Sequence, residues 1–273
     1  MDGRDNISAR EEAVSELLTQ LSDDAYLTAS ALDDVAAIVS VLESTAPDAD
    51  VRLLVDERTA REVRNAFVVA SKTAAVMDES VLEVRSVDSA APFTTLLVGA
   101  ESIVGLAAVA GSVVTTLEAE AEAERVEAAR DAFTDRWAEA EDFSVRAPAY
   151  SRMLSTLEER LGESVRGDTE RLFEQAVEER ASRELDPVRL TLLVGAAHEV
   201  QFYELGLWGE SEDVASRAKF SREKQQLEAH DLVDTEKIPS DIGRPRQRLV
   251  LGDAVAGADA DEAFEAARET LGS

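Results

Sequence analysis

Along the first 117 residues the apolar positions switch repeatedly between two periods. Residues 11–21 (EEAVSELLTQL) repeat at helical spacing, residues 24–29 (DAYLTA) make a short apolar run, and residues 31–45 return to helical spacing. Residues 50–57 (DVRLLVDE) read as a second strand and residues 58–77 as one helix. Three further strands are expected in VLEVRSV, FTTLLVG and SIVGLAAV. Strands that first alternate with helices and then run together predict a small α/β domain over residues 1–117. Over residues 118–141, Val126, Ala129, Phe133 and Trp137 recur at helical spacing, which predicts one long helix with an apolar stripe. That stripe either packs within its own chain or forms a dimer surface. Pro148 stops the helix, and residues 152–183 supply one or two more, interrupted at GESVRGD (162–168).

A domain boundary is expected between about residues 142 and 186, followed by a different order of elements. Asp186 and Pro187 suit a helix start, because Asp can cap and Pro fits the first turn. Helices are expected over 187–200, 201–211 and 216–230, then a strand, a turned hairpin and a second strand. Three helices followed by a two-stranded wing is the winged helix-turn-helix arrangement. In the third helix Ser216 is the expected N-cap, and Phe220 and Leu227 fall on the inward side. Arg217, Lys219, Ser221 and Arg222 lie near the N-terminal half, the part that enters a major groove in this motif. The hairpin tip carries Gly243, Arg244 and Pro245. In the strand after it, Gln247, Leu249 and Leu251 share one face and Arg246, Arg248 and Val250 the other. The fold expected is α+β or α/β, in four parts: a sensor-like or interaction domain (1–117), a helical connector with a possible dimer surface (118–185), a winged helix-turn-helix (186–253), and a C-terminal helix or tail (254–273).

Charge sharpens this division. The chain has 57 acidic against 28 basic residues, a formal net charge of -29, and its only lysines are Lys72, Lys219, Lys224 and Lys237. So dispersed an acidic excess suits a protein kept soluble in molar salt, where the Debye length shrinks to about 3 Å and like charges cease to repel. A halophilic cytoplasm is the expected setting. Residues 214–250 are the exception: eight basic residues (Arg217, Lys219, Arg222, Lys224, Lys237, Arg244, Arg246, Arg248) outnumber six acidic ones. A local charge of +2 on the third helix and the wing marks where this chain tolerates phosphate. The competing explanation is that Arg246 and Arg248 pair with nearby carboxylates on a solvent face.

Other chemistry is sparse. Without cysteine the chain has no disulfide framework and no thiolate. The N-terminus lacks a basic start followed by an apolar run, so no signal peptide is expected. The apolar window at 94–117 is interrupted by Glu101 and by Gly-containing turn chemistry, which favours buried strands over a membrane span. The two histidines, His198 and His230, stand 32 positions apart, too few ligands for zinc, and neither is followed by the Lys of a phospholipase D His-x-Lys pair. Asp23/Asp24 and Asp33/Asp34 are unremarkable in so acidic a chain, and Gly105 and Gly111 do not make a phosphate loop. No active site, metal or cofactor is expected.

The run SRAKFSREKQQLEAHDLVDTEKIPSDIGRPRQRLVLGD resembles the C-terminal part of the haloarchaeal TbsP family of transcriptional regulators. RLLVDE, DRWAEAEDFSVRAPAYSR and LWGESEDVASRAKFSR resemble it further upstream. The resemblance runs from about Tyr26 to Asp253. Asp231 departs from it, standing where the family pattern has a Gly that ends the recognition helix in a left-handed turn. The resemblance implies a TrmB-like regulator of central carbon metabolism genes, with double-stranded DNA as partner. Its DNA-facing set would be Ser216, Arg217, Lys219, Ser221, Arg222, Lys224 and the wing residues Arg244, Arg246 and Arg248; Lys237 joins them on charge. A homodimer and a sugar or metabolite effector are further expectations. A non-enzymatic adaptor whose winged helix binds protein is the alternative.

Overall fold

The computed structural model describes residues 10–12, 14–15, 25–45, 50–88, 95–99, 102–106, 108–109, 112–113, 119–120, 123–178, 186–238 and 246–271. The chain folds as two compact units, Met1–Ala149 and Tyr150–Ser273. The stretch 118–185, read above as one connector, is shared between them.

The first unit begins β1 (Ala25–Ala29), α1 (Leu32–Thr45), β2 (Val51–Asp56), α2 (Glu57–Asn65), α3 (Phe67–Asp78) and β3 (Leu82–Val87). It continues β4 (Thr95–Val98), β5 (Ser102–Leu106), β6 (Ala108–Val109), β7 (Ser112–Val113), β8 (Ala119–Glu120), α4 (Ala123–Glu139) and β9 (Glu141–Asp142). The main sheet runs β8-β5-β4-β1-β2-β3-β9. Its centre, β1-β2-β3, is parallel, as helical crossovers require, and the flanking strands are antiparallel. Leu53, Leu54 and Val55 are buried in succession, which explains why β2 reads as an apolar run, whereas β1 and β3 alternate buried with more exposed positions.

Two helical readings are corrected here. The single helix expected over 58–77 breaks at Ala66, whose backbone is extended (φ -94, ψ 93). The two halves have different needs: α2 buries one face (Thr59, Ala60, Val63), whereas α3 buries most of its surface. The long helix expected from 118 begins at Ala123, because Ala119–Glu120 adds to the sheet edge beside β5. On α4 the stripe is covered by its own unit. Phe133 lies 5.0 Å from the Tyr26 ring and 5.6 Å from Trp137, and Arg130 and Arg85 stack on Tyr26 and Trp137 at 5.1 and 4.8 Å. Val126 and Phe133 are buried. The stripe therefore packs largely within its own unit, with Ala129 and Trp137 left half-buried. At the carboxyl end of β1, the buried Asp34 accepts from Arg10 Nε (2.8 Å) and Thr95 Oγ1 (2.7 Å). Both carboxylate oxygens are occupied, as a buried charge requires.

The second unit comprises α5 (Tyr150–Leu161), α6 (Glu163–Glu178), α7 (Pro187–Ala197), α8 (Phe202–Ser211), α9 (Arg217–Ala229), β10 (Val233–Ile238), β11 (Arg246–Leu251) and α10 (Ala260–Leu271). Gly162, at φ +101, makes the break between α5 and α6. Its core is aromatic at the helix contacts: Phe173, Trp208, Phe220 and Phe264 are fully buried. Trp208 Nε1 donates to Met153 O (3.3 Å) and Thr156 Oγ1 (3.2 Å), so even the polar end of the indole is satisfied.

Candidate nucleic-acid interface

Local sequence rules set the three helices before packing orients them. Asp186 Oδ1 accepts from the amides of Val188 (2.9 Å) and Arg189 (3.1 Å), with Pro187 in the first turn of α7. Ser216 Oγ accepts from Lys219 N at 3.3 Å, the N-cap expected for α9. Each helix then ends in a left-handed residue: Glu199 (φ 52), Asp213 (φ 57) and Asp231 (φ 55). The following amides of Val200, Val214 and Leu232 close back on Gly195 O, Gly209 O and Leu227 O at 2.8, 2.9 and 3.1 Å. Asp231 does adopt the left-handed turn in place of glycine. Its carbonyl accepts from Ala254 N (3.1 Å), and a Cβ on Gly252 would come within 2.1 Å of it, so the end of the wing seats directly on this turn.

Packing fixes which face of α9 is presented. Phe220 and Leu227 are wholly buried, and Phe220 lies against Gly209, where a Cβ would approach its ring to 2.2 Å. A glycine in α8 thus sets how closely α9 docks. Glu223 is also turned inward, 7% exposed, and Arg189 Nε holds it at 2.8 Å. The exposed positions that remain are Ser216, Arg217, Ala218, Arg222, Gln225, Gln226 and Ala229.

The wing pairs β10 with β11 antiparallel, matching Lys237 with Gln247, Glu236 with Arg248 and Ile238 with Arg246. A third short edge was not visible in the sequence: Gln201 bridges to Arg248, and Leu249 N donates to Val200 O at 2.8 Å, which ties the wing to the start of α8. Leu249 is fully buried, as the alternation predicts. Gly243, Arg244 and Pro245 at the tip lie outside the described residues.

The basic residues fall into distinct settings. Arg217 Nε meets Glu210 Oε2 at 2.7 Å, and Lys219 Nζ meets Asp186 Oδ2 at 2.8 Å. Arg248 is held by Glu199 (2.6 Å) and Glu236 (2.7 Å), chiefly through the hydrogen bond to Glu236, and its guanidinium pKa rises. Arg246 Nη1 donates to Gln201 Oε1 at 3.1 Å. Lys224 is turned in, 12% exposed, between Glu228 (2.5 Å) and the Phe202 ring (5.5 Å), where it braces α9 against α8. Lys237 is exposed and Ser221 half-buried. Arg222 is more open than the other arginines of this face: its side chain is 66% exposed and, among the described residues, reaches one carboxylate, Glu223, at 3.7 Å. Gln225 and Ala218, absent from the residues expected on charge, share its exposed face. A helical wheel anchored on Phe220 and Leu227 would have found them.

His198 Nε2 pairs with Asp168 Oδ2 at 2.7 Å at the end of α7. Burial tends to raise the Asp168 pKa, but hydrogen bonds from Arg171 and His198 outweigh it and leave the carboxyl below its ordinary value. Among the described residues no group of three or more His, Asp or Glu could hold a metal ion, and no helix is long and apolar enough to cross a membrane.

Comparison with solved structures gives distant likenesses. The archaeal chromatin protein TrmBL2, described as showing a novel mode of DNA binding, is 15% identical with a TM-score of 0.38 over 50% of this chain and 52% of its own. This chain therefore spans about half of TrmBL2. The phospholipase D family member Nuc from Salmonella typhimurium is 17% identical with a TM-score of 0.36, covering 49% and 90%. The Orc1 protein of Aeropyrum pernix, solved in complex with DNA, is 14% identical with a TM-score of 0.22, covering 94% and 80%. No curated protein matches the chain. The family models are decisive by contrast: the TbsP-like transcriptional regulator N-terminal model matches residues 5–148, and the TbsP-like C-terminal HTH model matches residues 149–268. The chain belongs to the TbsP-like transcriptional regulators, with an N-terminal α/β unit and a C-terminal winged helix-turn-helix.

Proposed function

We propose that this regulator binds double-stranded DNA in a sequence-specific manner, in the cytoplasm of a halophilic archaeon, and controls genes of central carbon metabolism. The observation that carries the reading is the outward face of α9, where Arg222, Gln225 and Ala218 are presented together while every large apolar side chain of the helix is buried. In this arrangement α9 lies in the major groove, and Ser216, Arg217, Lys219 and Ser221 at its N-terminal half face the backbone. Lys237, Arg244, Arg246 and Arg248 on the wing flank the groove. Lys224 belongs to the interior of the domain. The reading extends to a homodimer on a two-fold site, to a small-molecule effector such as a sugar acting through residues 1–117, and to residues 254–273 as a C-terminal helix outside the DNA-binding core.

Ion pairing shapes how such contacts are made. Arg217, Lys219 and Arg248 are neutralised by their own carboxylates, so a DNA phosphate exchanges one anionic partner for another and releases few counterions. Affinity then depends weakly on salt, as a protein working in molar salt requires.

A second reading, the adaptor, draws support from Arg248, whose bonds to Glu199 and Glu236 give a wing arginine a purpose without DNA. Genome-wide chromatin occupancy in a halophilic host separates the two. Discrete promoter peaks that are lost with Arg222→Ala support the regulator; a wild type without peaks on several carbon sources points to the adaptor.

A further inference from the structure

The double glutamine of α9, Gln225-Gln226, is symmetrical in the sequence and asymmetrical in the structure. Gln226 Oε1 accepts from Arg189 Nη2 at 2.5 Å, and the same guanidinium holds the buried Glu223 through Nε at 2.8 Å. Its carbonyl is thus committed to bracing α9 on α7. Gln225 is exposed and has no hydrogen bond to any described residue. Of the two, Gln225 alone can offer an amide carbonyl and an amide N–H₂ together to an outside partner.

Arg222 has the complementary freedom. Among the described residues its one neighbour of opposite charge is Glu223, whose Oε1 lies 3.7 Å away while Oε2 is held by Arg189. The guanidinium fork is therefore available, unlike that of Arg217, whose Nε is engaged at 2.7 Å. Ala218, one turn earlier on the same face, is exposed and small enough to let the helix approach closely.

We infer that Arg222 and Gln225 are the base-reading pair of this regulator: Arg222 recognises a guanine and Gln225 an adenine within one or two base pairs of it, with Ala218 against a thymine methyl. The chemistry follows from the groups. A free guanidinium matches the two acceptors of guanine in the major groove, and a free carboxamide matches the acceptor and donor of adenine. The spacing fits as well, because three residues advance a helix by about 4.5 Å, close to the 3.4 Å step between base pairs. Ala218 lies about 6 Å further toward the N-terminus, within reach of the next step on the other side. Arg217 and Lys219, already provided with carboxylates, serve the phosphates instead.

This inference rests on the DNA-binding reading, and one experiment tests both separately. The full-length protein in molar KCl is used to select binding sites from a random duplex library, beside Arg222→Ala, Gln225→Ala and Gln226→Ala variants whose folding is checked by circular dichroism. The wild type is expected to select a motif containing a G·C pair and an A·T pair no more than two steps apart. Gln225→Ala should lose preference at the A·T position alone and Arg222→Ala at the G·C position alone, each with about five- to 150-fold weaker binding to the wild-type motif. Gln226→Ala should select the wild-type motif. An unchanged motif with Gln225→Ala, or a changed one with Gln226→Ala, overturns the assignment while leaving DNA binding intact. A wild type that selects no motif overturns the DNA-binding reading and the assignment with it.

Discussion

Two helices of this chain, α4 and α9, carry comparable patterns and meet opposite fates. On α4 the apolar stripe Val126, Phe133 and Trp137 is taken up by the sheet of its own unit, and arginines close over the aromatic rings. What remains exposed there is ordinary charged surface. On α9 two apolar anchors, Phe220 and Leu227, fix the helix from below, and the presented face is polar, small and only loosely partnered. The difference teaches that an amphipathic pattern predicts burial more reliably than it predicts a docking face. The face worth interrogating is the one whose hydrogen-bonding capacity its own fold leaves open.

The sharpest way to break this comparison is to remove the anchors. Phe133→Ala in α4 and Phe220→Ala in α9 should each destabilise their unit by about 3–5 kcal/mol, because a wholly or nearly buried ring leaves a cavity behind. Urea melts followed by tryptophan fluorescence check this, with Trp137 near the first site and Trp208 near the second. Next comes the closeness of the α8–α9 contact. Gly209→Ala forces a methyl into the Phe220 ring and should cost about 1–3 kcal/mol, read as a lower denaturation midpoint with an unchanged slope.

The electrostatic half of the comparison is tested by carboxylate removal. Glu210→Gln frees Arg217, and Glu199→Gln combined with Glu236→Gln frees Arg248, from their carboxylate partners. DNA affinity at low salt should rise, and each released cation that finds a phosphate should steepen the fall of log affinity with log salt by about 0.9. Titrations across a salt series measure that slope. A smaller effect is expected at the helix end: Asp231→Gly relieves a left-handed side chain and should stabilise the second unit by about 0.5–1 kcal/mol in a thermal melt. Smallest is the pH dependence of Asp168. Its folded pKa lies below the ordinary 3.8, so its contribution is present above that value and lost as pH falls through the folded pKa. Asp168→Asn should flatten the acid limb of the stability curve and leave neutral pH behaviour little changed beyond the lost pairing with His198.

Much of this was legible from residue order, and the parts that were not share a physical cause. Ser216 and Asp186 as caps, Phe220, Leu227 and Leu249 as inward positions, and Asp231 in a left-handed turn are local properties, readable wherever a side chain acts on its own backbone or period. The break at Ala66 was hidden because α3, buried over most of its surface, has no period of its own against which the end of the α2 stripe would show. The fate of the α4 stripe depended on Tyr26, roughly a hundred residues away in sequence, and charge alone could not show that Arg217 and Lys219 are paired while Arg222 is open. Counting basic residues pointed to α9 and the wing; only the geometry of Arg189, Glu223 and Gln226 separated the two glutamines.

The central claim is that the open face of α9 reads DNA sequence. Its most direct test is the ratio of affinities of the full-length protein for a promoter duplex it occupies in the cell and for a scrambled duplex of equal length, measured by fluorescence anisotropy in molar KCl. The account predicts a ratio of about a thousand or more, collapsing with an Arg222→Ala/Gln225→Ala variant that melts as the wild type does. Equal affinity of the wild type for the two duplexes, or a ratio that survives the double substitution, would contradict it.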